Sequence, residues 1–116
     1  MAIFDKYDLS TIGKAVDLFY QRTLETEELS PYFKNVNMSR LRDHQVELLV
    51  HVMGGPVTYR INMLKNAHQK LDIPNTHFDL VTTILQQALS DVAIEDRDIK
   101  HIMAVVKTTR NLIVNA

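Results

Sequence analysis

Two histidines, His44 and His68, fall on the apolar faces of two consecutive helical stretches, and a hard stop, Gly54-Gly55-Pro56, separates them. On the first stretch Leu41, His44, Gln45, Leu48, Leu49 and Val52 recur in the i, i+3, i+4, i+7 rhythm of an amphipathic helix. On the second, Leu64, Ala67, His68 and Leu71 repeat the pattern. Burying an imidazole or an amide without a partner costs about 1–3 kcal/mol, so something inside the fold must satisfy these groups. Two facing helices that each turn a histidine inward point to a pocket around a metal or a metal cofactor.

An earlier stripe, Ile12, Ala15, Val16, Phe19, Tyr20, Thr23 and Leu24, sets Tyr20 inward as well. A buried phenol normally finds a hydrogen-bond partner. One histidine on an apolar face is more often a satisfied core residue than a ligand, and Gln45 or Tyr20 could each bond a nearby carbonyl. Four such side chains, Tyr20, His44, Gln45 and His68, on three helices of a 116-residue chain are harder to explain that way.

Other chemistries find less support. The chain has no cysteine, which excludes disulfides, thiolate metal sites and thiol nucleophiles. His44 and His51 lie seven apart, but no His-Glu-x-x-His string supplies a zinc site, and no pair of Glu-x-x-His motifs supplies a di-iron bundle. Gly54-Gly55 lacks the lysine of a phosphate loop and reads as a helix stop, and no nucleophile elbow is present. Met38, Met53, Met63 and Met103 read as core filler, and His51, His77 and His101 as partly exposed helix residues. Lys65 precedes His68 by about one helical turn, as a solvated lysine or as a cation for an anionic edge of a cofactor.

The elements that position these residues are all helical. Ile3 to Tyr7 is a short turn, and Ser10 or Thr11 offers an N-cap for the Tyr20 helix. Ser30-Pro31 reads as a cap with proline at the first helical position, followed by Tyr32 and Phe33 at a corner. Asn37 or Ser39 caps the His44 helix, and Pro74 marks the end of the His68 helix. Thr76 to Asp79 resembles a capping box ahead of Phe78, Val81, Ile84, Leu85, Ala88, Leu89 and Val92. The last helix carries Ile99, Ile102, Met103, Val106, Arg110 and Ile113 behind acidic Glu95 and Asp96. No stretch alternates with period two, and no linker or repeat divides the chain, so residues 1–116 read as a single all-α domain.

The net charge of −1, from 13 basic and 14 acidic residues, gives no footprint for nucleic acid or an anionic membrane. No leader and no span of about 18 apolar residues is visible. A soluble cytoplasmic monomer is the expectation.

Taken together, Phe19-Tyr20, Pro31-Tyr32-Phe33, Asn37-Met38-Ser39-Arg40-Leu41, His44-Gln45, Gly54-Gly55-Pro56, Tyr59, Met63, Lys65, Ala67-His68 and His77-Phe78-Asp79 form a recognisable order and spacing. From about residue 14 to 92 the chain resembles a group I truncated haemoglobin, a two-over-two globin. It departs from that family in carrying only Gly13 where a Gly-Gly pair is usual, with the segment before Tyr20 shortened or altered. The resemblance implies a globin-like helical sandwich around noncovalent haem b, because Thr108 and Thr109 stand where some relatives have a haem-linking histidine. It implies His68 as proximal iron ligand, with Phe33, Leu41, His44, Gln45, Tyr59 and Lys65 in contact with the cofactor. Tyr20, Gln45 and Leu41 would meet the gas, and His44 would bind the iron at rest, as in some cyanobacterial members.

The function so implied is binding of oxygen, nitric oxide or carbon monoxide. The alternative is a haem enzyme that oxidises nitric oxide or removes other reactive nitrogen and oxygen species, drawing electrons from an outside reductase. A cofactor-free interaction module would explain the apolar stripes and leave the inward polar residues unexplained.

Overall fold

Apolar periodicity near 3.6 residues governs the chain, and the computed structural model, which describes residues 2–57, 59 and 61–115, contains only helices and their connections among them. They are α1 (Leu9–Leu24), α2 (Met38–Val52), α3 (Ile61–His68), α4 (Asn75–Asp91), α5 (Asp96–Lys107) and α6 (Arg110–Ile113). Two 3-10 turns, Ile3–Lys6 and Ser30–Phe33, precede α1 and α2.

The stripe of α1 buries Ile12, Ala15, Val16, Phe19 and Tyr20 against α4 and α2. α4 packs in turn on α5, and α2 on α5, which gives the expected two-over-two arrangement. The core at this crossing is dry: Ala15, Val16, Ala88, Leu89 and Ile102 are all 0 % exposed. α3 stands outside it, with α6 as its main packing partner.

Several boundaries differ from the sequence expectation. Asp8 precedes α1 in extended conformation, so Ser10 and Thr11 lie inside the first turn rather than capping it. Leu29 precedes the Ser30–Phe33 turn, and Ser30 is its first residue rather than its cap. α3 ends at His68 and does not reach Pro74, which leaves Leu71 exposed beyond the helix. Pro74 instead opens α4: its fixed φ and missing N–H cost nothing at a helix start. The Thr76–Asp79 box does not form, and Asp79 pairs with Arg110 at 2.6 Å. The last helix divides at Thr108 and Thr109, whose hydroxyls donate to the Val105 and Val106 carbonyls at 2.6 Å each and offer the backbone a local alternative to the ladder.

Two expectations hold. Asn37 caps α2, its side chain accepting the Arg40 amide at 3.2 Å. The glycine pair ends α2: Gly54 has φ +82°, and a Cβ on Gly55 would sit 2.5 Å from Val50 Cγ1 and 2.8 Å from Phe4 Cγ. The N-terminal turn therefore lies directly on the end of α2, where the Phe4 amide donates to the Met53 carbonyl at 2.9 Å. The same turn reaches α5. Lys6 Nζ and the Tyr7 hydroxyl both donate to Asp98 Oδ2, at 2.7 and 2.6 Å.

Candidate functional site

Between α2, α3, α4 and the end of α1 the structure leaves a cavity of about 430 Å³. The Ser30–Phe33 turn supplies Tyr32 and Phe33, and α2 supplies Leu41, His44 and Gln45. Tyr20 enters from α1, Tyr59 from the α2–α3 connection, and Leu64, Ala67 and His68 from α3. Of the residues that the resemblance assigns to the cofactor or the gas, all but one line this cavity. Lys65 is exposed in the last turn of α3 and does not line the cavity.

His68 is half-buried, and its Nδ1 lies 2.6 Å from the Leu64 carbonyl oxygen. A carbonyl only accepts, so Nδ1 carries the proton and Nε2 keeps a free lone pair. That arrangement prepares an imidazole for a metal, because the second nitrogen is committed to a backbone acceptor that fixes the tautomer and the ring orientation.

Tyr20 is only 8 % exposed, held edge-on by Phe19 at 4.9 Å and Phe33 at 6.1 Å between ring centroids. Its hydroxyl has no hydrogen-bond partner among the described residues. Burial, with a smaller contribution from neighbouring Tyr59, pushes its pKa up, so it is a neutral donor throughout the physiological range. His44 and Gln45 are half-buried on α2 and likewise have no side-chain partner among the described residues. Tyr59 is pushed up too, by burial first and by Glu47 second.

Sequence reasoning gave Tyr32 no role in the site and read His77 as a partly exposed helix residue, yet both line the cavity. The Tyr32 hydroxyl lies 2.6 Å from His77 Nδ1, with the rings edge to face at 5.7 Å. The available signal was an aromatic at the corner and a histidine in the first turn of α4. Met63 is 38 % exposed at the cavity and is not core filler, whereas Met53 and Met103 are. His51 does not line the cavity; its Nδ1 lies 3.1 Å from the Val57 carbonyl.

Among the described residues no three histidine or acidic side chains cluster to cage a bare ion. The imidazoles of His68 and His44 in a largely apolar chamber instead suit a flat metal cofactor that brings its own equatorial ligands. Haem fits these residues.

Residues 2–115 match the family model described as bacterial-like globin. A group 1 truncated haemoglobin of Tetrahymena thermophila is 32% identical over 96 residues, 83% of this chain and 79% of that protein. One of Mycolicibacterium paratuberculosis is 35% identical over 91 residues, 78% of this chain and 67% of that protein. Among solved structures, the Fe(III) form of the Tetrahymena pyriformis truncated haemoglobin superposes over 100% of both chains with TM-score 0.89 and 28% identity. The 2/2 haemoglobin of a Synechococcus, in the cyanomet state with covalently attached haem, covers 100% of both with TM-score 0.90 at 22% identity, a likeness of fold alone. The two-over-two helices, the cavity between them and the match along nearly the whole chain lead to one assignment: this protein belongs to the bacterial-like globin family, among the truncated haemoglobins.

Proposed function

We propose that the cavity holds haem b without a covalent link and that the protein binds a diatomic gas there. The observation that carries this reading is the committed Nδ1 of His68, which leaves Nε2 free on the wall of an apolar chamber with three polar side chains that have no partner among the described residues. His68 would hold the haem iron, which when bound supplies the site for a small gas. Phe33 and Leu41 supply apolar contact area, and Tyr59 offers a phenol at the edge of the same cavity.

The noncovalent reading rests on the histidines. α5 carries one, His101, which is exposed and does not line the cavity, and the positions that do line it from the following break include Thr109. Thr109 has no nucleophilic nitrogen to offer a vinyl group.

Tyr20 and Gln45 each present a donor to a ligand that gains negative charge. A hydrogen bond to a charged acceptor is worth about 1.5–3 kcal/mol, so these two residues slow release. His44 competes for the gas side. Were its imidazole to hold the iron at rest, external ligands would have to displace it, and apparent affinity would fall by the open fraction. No described helix is long and apolar enough to cross a membrane, in keeping with a protein that works in the cytoplasm.

The test is the visible spectrum of protein expressed with haem available, ferric and dithionite-reduced, beside His44→Ala and His68→Ala. A Soret band in wild type, absent or strongly altered in His68→Ala, is expected. Sharp paired bands in the reduced form, lost in His44→Ala, are expected from bis-histidyl ligation; one broad reduced band would remove His44 from the iron. No Soret band in wild type would overturn the haem reading.

A further inference from the structure

The helix that carries His68 is gripped from behind by one residue. Asn115 Nδ2 donates to the His68 carbonyl at 2.8 Å, and Asn115 Oδ1 accepts the Ile73 amide at 2.7 Å. The Asn115 amide closes the set by donating to the Ile73 carbonyl at 3.0 Å. A helix end leaves its last carbonyls without intrahelical partners, and the His68 carbonyl is one of these. The Leu71 amide donates to it at 3.1 Å from just beyond the helix, and Asn115 adds a second, shorter bond from a position 47 residues away in sequence.

The grip has a firm base. α6 just before it is fastened to α4 through Arg110, whose guanidinium donates to Asn75 at 3.0 Å and Asp79 at 2.6 Å and lies 4.5 Å from the centre of the Phe78 ring. α3 has α6 as its main packing partner, and Leu64 is its one buried side chain among those described. The position of the last turn of α3 is therefore set by Asn115 more than by a packed core.

We propose that Asn115 is a positioning residue for His68, a clasp that fixes the last turn of α3 and thereby holds the imidazole at the reach and tilt the iron requires. The proposal rests on the haem reading above. It adds that the strength of the iron–histidine bond is controlled from the chain's C-terminal segment, through backbone hydrogen bonds that touch neither cofactor nor gas.

Asn115→Ala and Asn115→Asp separate the two hands of the clasp. Aspartate keeps an acceptor for the Ile73 amide but loses the donor to the His68 carbonyl and sets a negative charge at the negative end of α3. The readouts are haem transfer to an excess of apomyoglobin, the iron–histidine stretching frequency of the reduced, His44→Ala background protein, and hydrogen exchange of the Gln69–Ile73 amides with and without haem. Asn115→Ala should lose haem about tenfold faster, as expected when bonds of this kind are removed, shift the stretch, and expose the Ile73 amide. Asn115→Asp should lose haem about as fast while the Ile73 amide stays protected. A folded, haem-free Asn115→Ala beside a haem-bound wild type also supports the clasp. Wild-type haem loss and an unchanged stretch in both variants would overturn it. If wild type itself takes up no haem, the haem reading fails, and the exchange of the same amides in haem-free protein still decides whether Asn115 holds the end of α3.

Discussion

The α1–α4 crossing and the α3 segment are two ways of holding a helix in one small protein. At the crossing, side chains from both helices are sealed from water, with Ala15, Ala88 and Leu89 each 0 % exposed. Around α3, Met63 and Leu71 remain exposed, and polar bonds from Asn115 replace apolar burial. The first region is rigid because close-packed cores resist displacement. The second can be adjusted, since a few hydrogen bonds in place of a packed core decide where it sits. The proposed gas binding would use both: a fixed scaffold for Tyr20, and an adjustable helix for His68.

The contrast breaks first in the core. Leu89→Ala should cost about 2–5 kcal/mol with or without haem, because a filled site becomes a cavity. Leu71→Ala should lie within about 0.5 kcal/mol of wild type when haem is absent, as at exposed positions generally. Chemical denaturation of both forms checks this, and a core loss no larger than the rim loss would erase the distinction.

Tyr20→Phe sharpens it. The hydroxyl has no partner among the described residues, so stability without haem should barely change, while oxygen release measured by stopped flow should quicken about tenfold through loss of one bond. An unchanged off-rate would remove Tyr20 from the gas site.

The smallest expected effect is a pH dependence outside both regions. Hydrogen bonds from Lys6 and then Tyr7 hold the Asp98 carboxyl below its ordinary 3.8. A lowered folded-state pKa gives stability that is present above 3.8 and declines as pH falls through the lowered value. Lys6 is raised, chiefly by its hydrogen bond to Asp98, and Tyr7 is raised by burial and then by that carboxylate. Their contributions are present below 10.5 and 10.0 and fade as pH rises through the higher folded values. Asp98→Asn should flatten both flanks of the stability profile measured by thermal melts between acid and alkaline pH.

Much of this was legible in the sequence where a pattern is local. The 3.6-residue stripes located the helices, Gly54 and Asn37 marked the ends of α2, and polar residues interrupting apolar stripes marked Tyr20, His44, Gln45 and His68. What stayed hidden depends on partners far along the chain. Nothing local sets Asp98 apart until Lys6 and Tyr7 fold onto it. Nothing local marks Asn115 until His68 and Ile73 meet it, and His77 is a partly exposed helix residue until Tyr32 reaches its ring. Pro74 punctuates helices on either side equally well, so composition alone assigned it to the wrong one.

The Lys6–Asp98 contact joins residues 92 positions apart, the Tyr7–Asp98 contact residues 91 apart. Bonds that close so long a loop are expected to form after the local helices and their nearest packing, because loop-closure entropy must be met first. Interactions absent from the folding transition state act on the unfolding rate alone. The N-terminal turn is thus a brake on escape from the native state rather than an aid to reaching it: it lengthens the lifetime of the closed protein, and with it the time a bound cofactor stays enclosed.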